Sequence, residues 1–169
     1  VKAIQPMSDG SYLAGGSFLT VTIDGQTTSQ PYLCRILADG TLDSVFRPVL
    51  DGFVEDIEVD SAGRIYVAGG FNRVTPTGSP SFVPCVRVCR FNPDYSLDTT
   101  FNTAIGPNTS VLTLAPVGDG SVFIGGHFTA FGTITSSAVR YMVRLKNDGS
   151  RDTSFVSRAD GVVRKIVRR

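Results

Sequence analysis

One phrase is written three times in this chain, and it constrains the fold more than any other feature. "GTLDSVF" (residues 40–46) returns as "YSLDTTF" (95–101) and as "GSRDTSF" (149–155), at spacings of 55 and 54 residues. A period of this length means that each copy builds one supersecondary unit and that neighbouring units bury a shared core. The rest of the chain superposes in the same register. Each unit opens on an apolar segment, "VKAI" (1–4), "VEDI" (54–57) or "VLTL" (111–114), followed by a turn, "SDG" (8–10), "SAG" (61–63) or "GDG" (118–120). The second segments, "SYLAGGSF" (11–18), "RIYVAGGF" (64–71) and "SVFIGGHF" (121–128), align without a gap, so Gly16, Gly69 and Gly126 coincide, as do Phe18, Phe71 and Phe128. After a polar loop of variable length come "PYLCRI" (31–36), "VRVCRF" (86–91) and "RYMVRL" (140–145), then a tight turn and the repeated phrase. The units run 1–53, 54–110 and 111–162, and a fourth begins at 163–169.

The second segment is apolar at both parities (Ile65, Tyr66 and Val67, for example), which predicts a strand covered on both faces. The glycine after it fits a place where another backbone comes too close for a side chain. Eighteen glycines and nine prolines punctuate short runs of Val, Ile, Thr, Tyr and Phe, and no stretch carries a helical pattern, so the chain reads as all-β. Sheets stacked face to face would produce this pattern, as in the blades of a β-propeller. Three units fall short of the usual four to eight blades. The expectation is therefore a partial propeller, completed by further repeats or by association of copies; the alternative is a three-fold closed, trefoil-like β-structure.

Arg35 and Asp43 are eight residues apart, as are Arg90 and Asp98, and Arg144 and Asp152, and each midpoint falls in a tight turn. Residues equidistant from a hairpin turn face each other, so each Arg should meet its Asp across two strands, with Phe46, Phe101 or Phe155 anchoring the strand end.

The series of turn glycine, G-x-F, Arg and L-D-x-x-F resembles the bacterial delta-60 repeat, and the likeness covers nearly the whole chain. It departs at Ala62, Tyr95 and Arg151, where Asp, Gly and Leu are usual. The resemblance implies propeller blades in bacterial surface or secreted proteins or in phage structural proteins, working as binding or scaffolding modules, and it brings no catalytic residue.

Other chemistry weighs little against this. His127 is the lone histidine and sits where the other units have Ser17 and Gly70. Of the three cysteines, Cys34 and Cys89 share a repeat position with Val143, which points to buried hydrophobes. Cys85 and Cys89, read as lying on one strand, would stand about 13 Å apart and could not bridge, and the odd count leaves a thiol free or paired with another chain. The Asp-Gly turns lack the alternating ligands of a calcium loop, and the glycines around Gly15 precede no Lys-Ser/Thr as a phosphate loop requires.

A net charge of +1 gives no electrostatic case for nucleic acid, and no apolar run is long enough to insert in a membrane. The basic residues Arg158, Arg164, Lys165, Arg168 and Arg169 read as the polar side of a strand cut short. The chain opens on "VKAI" with no leader pattern, which reads as a piece of something longer. The expected function is a non-enzymatic structural or binding module without cofactor, metal or catalytic residues. It would be extracellular, at the cell surface or in a virion, and would contact protein by self-association or through neighbouring subunits. The alternative is a carbohydrate- or ligand-binding propeller domain of a larger surface protein, contacting a surface glycan. Specific contacts would lie in the variable loops 19–30, 72–84 and 129–139, although these offer no Trp.

Overall fold

In the computed structural model, which describes residues 1–167, every unit folds into its own antiparallel sheet. β1 (Ala3–Pro6), β2 (Tyr12–Gly15) and β5 (Leu33–Ile36) form the first. β7 (Val54–Val59), β8 (Ile65–Gly69) and β11 (Val88–Phe91) form the second, and β12 (Val111–Pro116), β13 (Val122–Gly126) and β14 (Met142–Leu145) the third. The unit's second segment is the central strand of each sheet. The repeated phrase adds a fourth, minimal strand through single bridges, Ile36 with Leu42, Phe91 with Leu97 and Leu145 with Arg151. The Arg151 departure therefore leaves the bridge intact. These are four-stranded blades.

The tight turns are built by aspartate. The Oδ1 of Asp9, Asp39, Asp94, Asp119 and Asp148 each accepts both the amide and the hydroxyl of the Ser or Thr two residues on, closing an Asx turn. The residue between is left-handed. It is Gly40 at φ 86° and Gly149 at φ 81°, and in the second unit Tyr95 takes the same conformation at φ 70° without being glycine.

Blades stack in a row. Leu13, Leu33, Phe46 and Val54 pack with Ile65, Val67, Cys89 and Phe91 between the first and second blades. Tyr66, Ala68, Val88 and Phe101 pack with Val122, Ile124, Val143 and Leu145 between the second and third. Every residue of β8 is buried, alternate side chains serving opposite neighbours, as the double-parity pattern predicts. Among the described residues no substantial packing joins the first sheet to the third, so the sheets do not close on themselves: the arrangement is a partial propeller and not a three-fold barrel.

One expectation needs correction, and another is met only in part. The polar inserts are not simple loops. β3 (Thr20–Ile23) and β4 (Gln26–Ser29) make a hairpin around Asp24 and Gly25, both left-handed as a tight hairpin turn requires. In the second unit β9 (Arg73–Thr75) pairs with β10 (Val83–Pro84) and also with β6 (Val49–Leu50), which comes from the exit of the first unit. The third insert has the bridges Pro107–Phe131 and Phe131–Ile134 and one 3₁₀ turn (Ser137–Val139). Next, the expected fourth copy forms no ladder over residues 163–167; Arg168 and Arg169 lie outside the described residues. The segment still takes the fourth copy's place, because Ile166 N–H donates to Thr113 Oγ1 just as Leu114 N–H donates to Asp56 Oδ2 one blade earlier.

Candidate functional site

The repeated residues converge on the faces where blades meet. Arg35 donates to Asp43 at 2.8 Å, Arg90 pairs with Asp98 at 2.7 Å, and Arg144 reaches Asp152 at 3.5 Å. In the first and third blades the turn aspartate joins, Asp9 on Arg35 and Asp119 on Arg144. The second blade has Ala62 there, and Arg90 turns instead to the next blade. It donates to Gly120 O at 3.1 Å, Asn147 Oδ1 at 3.0 Å and Asn147 O at 3.0 Å. Arg35 likewise stacks on a residue of the following blade, Tyr95, at 4.4 Å. Only Arg144 lacks such a neighbour, and its side chain is 30% exposed against 2% for Arg90.

Burial disfavours the charged form of Asp98, but hydrogen bonds from Thr100 and Arg90 outweigh it and hold the carboxyl below its usual range. At Asp152 the Ser154 hydroxyl and amide do most of the lowering, and the Arg144 charge adds to it.

The glycines mark backbone contact. A Cβ on Gly69 would lie 2.0 Å from Phe53 O, one on Gly126 2.4 Å from Ser110 O, and one on Gly16 2.9 Å from Val1 Cα. Phe71, Phe128, Phe46 and Phe101 are buried, whereas Phe18 and Phe155, on the two outer faces, are only partly so. Phe101 meets Tyr66 edge-on at 5.9 Å and Phe155 meets Phe123 at 5.1 Å, the same pairing one blade on.

A further repeat position is visible only in the structure. Tyr32, Arg87 and Tyr141 are left-handed at φ 67°, 68° and 64°. Each donates its amide to the carbonyl of the G-x-F phenylalanine and accepts from the amide of the second glycine or its equivalent, Gly16, Gly69 or Gly126. None of the three is glycine, so no turn signature announces them.

The first blade's outer face is open. Ile4 is 64% and Tyr12 48% exposed, while their counterparts one blade on, Ile57 and Ile65, are 3% and 0%. The β3–β4 hairpin leans over this face and leaves an apolar cleft of about 340 Å³, lined by Ala14, Phe18, Val21, Ile23, Cys34 and Ile36. On the third blade the tail covers part of the opposite face. A Cβ on Gly125 would lie 2.5 Å from Val163, as one on Gly15 would lie 2.4 Å from Val54.

His127 is exposed, and no cluster of metal-ligating side chains exists among the described residues. All three cysteines are free and buried; burial pushes the Cys34 and Cys85 thiols up to about 11. Cys85 and Cys89 do not share a strand as expected: Cys85 follows β10, Cys89 lies in β11, and the chain bends at Arg87 between them.

Four-stranded sheets stacked face to face and joined through a repeated Arg–Asp hairpin define a set of propeller blades. The chain belongs to the β-propeller family described as a domain of unknown function (DUF5122), whose profile matches residues 8–46, 63–101 and 118–155. Each match begins at or beside the first turn and ends on or beside the anchoring Phe, so the family's unit is offset from the sheet by its first strand. A comparison with curated proteins finds no match.

Proposed function

We propose that the chain is a non-enzymatic structural and binding module of delta-60-type blades, acting by protein–protein contact within a larger bacterial extracellular or phage virion assembly. One observation carries this reading: apolar positions that are sealed between blades elsewhere in the molecule, Ile4 and Tyr12 in particular, stand open on the first blade. Exposed apolar surface rimmed by polar residues marks an interaction site. The sequence resemblance supplies the surface or virion setting.

The test is to charge that face with Ile4→Glu and Tyr12→Glu together. Both side chains are exposed, so the melting temperature should stay unchanged while concentration-dependent association, read by light scattering, is lost. Association identical to wild type would remove the open face from any contact role.

A further inference from the structure

We infer that the first blade's open face docks on the third blade of a second copy of the chain, so that two copies close into one six-bladed ring. This rests on the reading of the open face as a contact surface and names what covers it.

The interior of the molecule supplies the template twice. In register with Ala14 and Ile36 stand Val67 and Phe91 in the second blade and Ile124 and Leu145 in the third, all buried against the blade before them. Phe46 of the first blade meets Phe91 of the second edge-on at 5.0 Å. The third blade carries Phe155 in the place of Phe46 and leaves it partly open, while Ile36 lies open in the cleft at the other end.

The inserts tell the same story in backbone terms. Val74 pairs with Leu50 and Phe131 with Pro107, so the second insert takes a strand, and the third a single bridge, from the exit of the preceding blade. Val21 stands in the same register, yet its sheet has two strands only. Asp51 Oδ1 accepts the amides of Asn72 and Arg73, and Asn108 Oδ1 accepts those of Thr129 and Ala130. The next residue in this series is Asp160, which is exposed. Its partners by register are the amides of Leu19 and Thr20 in a second copy, with residues 158–159 supplying the third strand by edge addition.

Arg144 completes the fit. It keeps its turn aspartate, Asp119, as Arg35 keeps Asp9, so its template is Arg35, which holds to acceptors in its own blade and is covered by the following one. The incoming blade covers Arg144 in the same way. Near the ring axis the place of the incoming β1 is held by the chain's own tail, where Val163 and Ile166 stand in register with Val1 and Ile4. The tail forms no ladder, so the incoming strand displaces it. Closed propellers typically have four to eight blades; two copies of three blades meet that range and three copies exceed it. Each junction joins unlike faces, and a two-fold axis relates the two junctions, so the assembly closes after two copies.

Sedimentation velocity over a range of concentrations tests this. The wild-type chain should form a species of twice its 18.0 kDa, and removing residues 163–169 should raise the fraction of that species. Two variant sets then separate the faces: Ile4→Glu with Tyr12→Glu on the first blade, and Val156→Glu with Asp160→Lys on the third, all at exposed positions. Each set alone should leave monomer, and mixing the two should restore the doubled mass through one intact junction. If the first-blade set abolishes association and the third-blade set does not, the open face packs on something else; the contact reading survives and the head-to-tail ring is overturned. If neither set changes sedimentation, both fall. A chain that stays at 18.0 kDa with and without its tail also overturns the ring.

Discussion

The second and third blades carry the same Arg–Asp pair in different surroundings. Arg90 lies over Phe101 at 4.5 Å, donates to Asp98 and to two residues of the following blade, and is 2% exposed. Arg144 pairs with Asp119 and more loosely with Asp152 within its own blade, reaches no neighbouring blade, and its side chain is 30% exposed. One short motif is thus a buried ion pair in the middle of the stack and a surface pair at its end. The neighbour, not the motif, decides what the pair contributes, because breaking a desolvated pair strands an uncompensated charge while an exposed pair is screened by water.

Truncating the arginines should expose this difference most sharply. Arg90→Ala leaves Asp98 buried without its partner and should cost about 3–5 kcal/mol, whereas Arg144→Ala should cost under ~1 kcal/mol, both by denaturant titration. Equal losses would mean that the following blade adds nothing to the pair. Next come the glycines. Gly69→Ala should destabilise by about 1–3 kcal/mol because backbone must move, with Gly126→Ala less harmful and Gly16→Ala least, following the contact distances of 2.0, 2.4 and 2.9 Å; a thermal melt that reverses this order breaks the assignment. Smaller still, Thr113→Val removes the acceptor for Ile166 N–H. It should cost about 0.5–1.5 kcal/mol and speed hydrogen exchange at that amide, while the central blades keep their protection.

Acid should give the mildest and most evenly spread effect. Ser or Thr hydroxyls hold the carboxyls of Asp9, Asp39, Asp94, Asp119 and Asp148 below their ordinary value. A carboxyl depressed in the folded state stabilises it above the unfolded value of about 4, and that contribution fades as pH falls through the folded one. The melting temperature should therefore hold steady above about pH 4 and decline below it; a flat profile into strong acid would mean that these turns do not depend on ionised aspartate.

What could be read from the sequence was local or repeated. Hairpin arithmetic placed Asp43 opposite Arg35 because both strands and their turn lie within nine residues. Alignment of the copies likewise exposed the glycines and the double-sided central strand. Contacts between blades were not legible, since they depend on which residue of the next copy lands opposite. Asn147 on Arg90 and Tyr95 under Arg35 occupy turn positions that differ between units and show no pattern. The left-handed backbone at Tyr32, Arg87 and Tyr141 was hidden because its signal would have been glycine and the surrounding hydrogen bonds hold bulky residues there instead. The first insert, by contrast, is legible: "TVTIDGQTTS" alternates around an Asp-Gly turn as a hairpin does.

The pairing of β6 with β9 sets an order on synthesis. Val49 and Leu50 leave the ribosome with the first blade, yet their partner strand, Arg73–Thr75, belongs to the second. At about 5–20 residues per second, the first blade waits on the order of one to a few seconds for the strand that seals its rim. The second blade then waits in turn for Phe131 to meet Pro107. The first two blades are each finished by the blade that follows, so they mature in chain order.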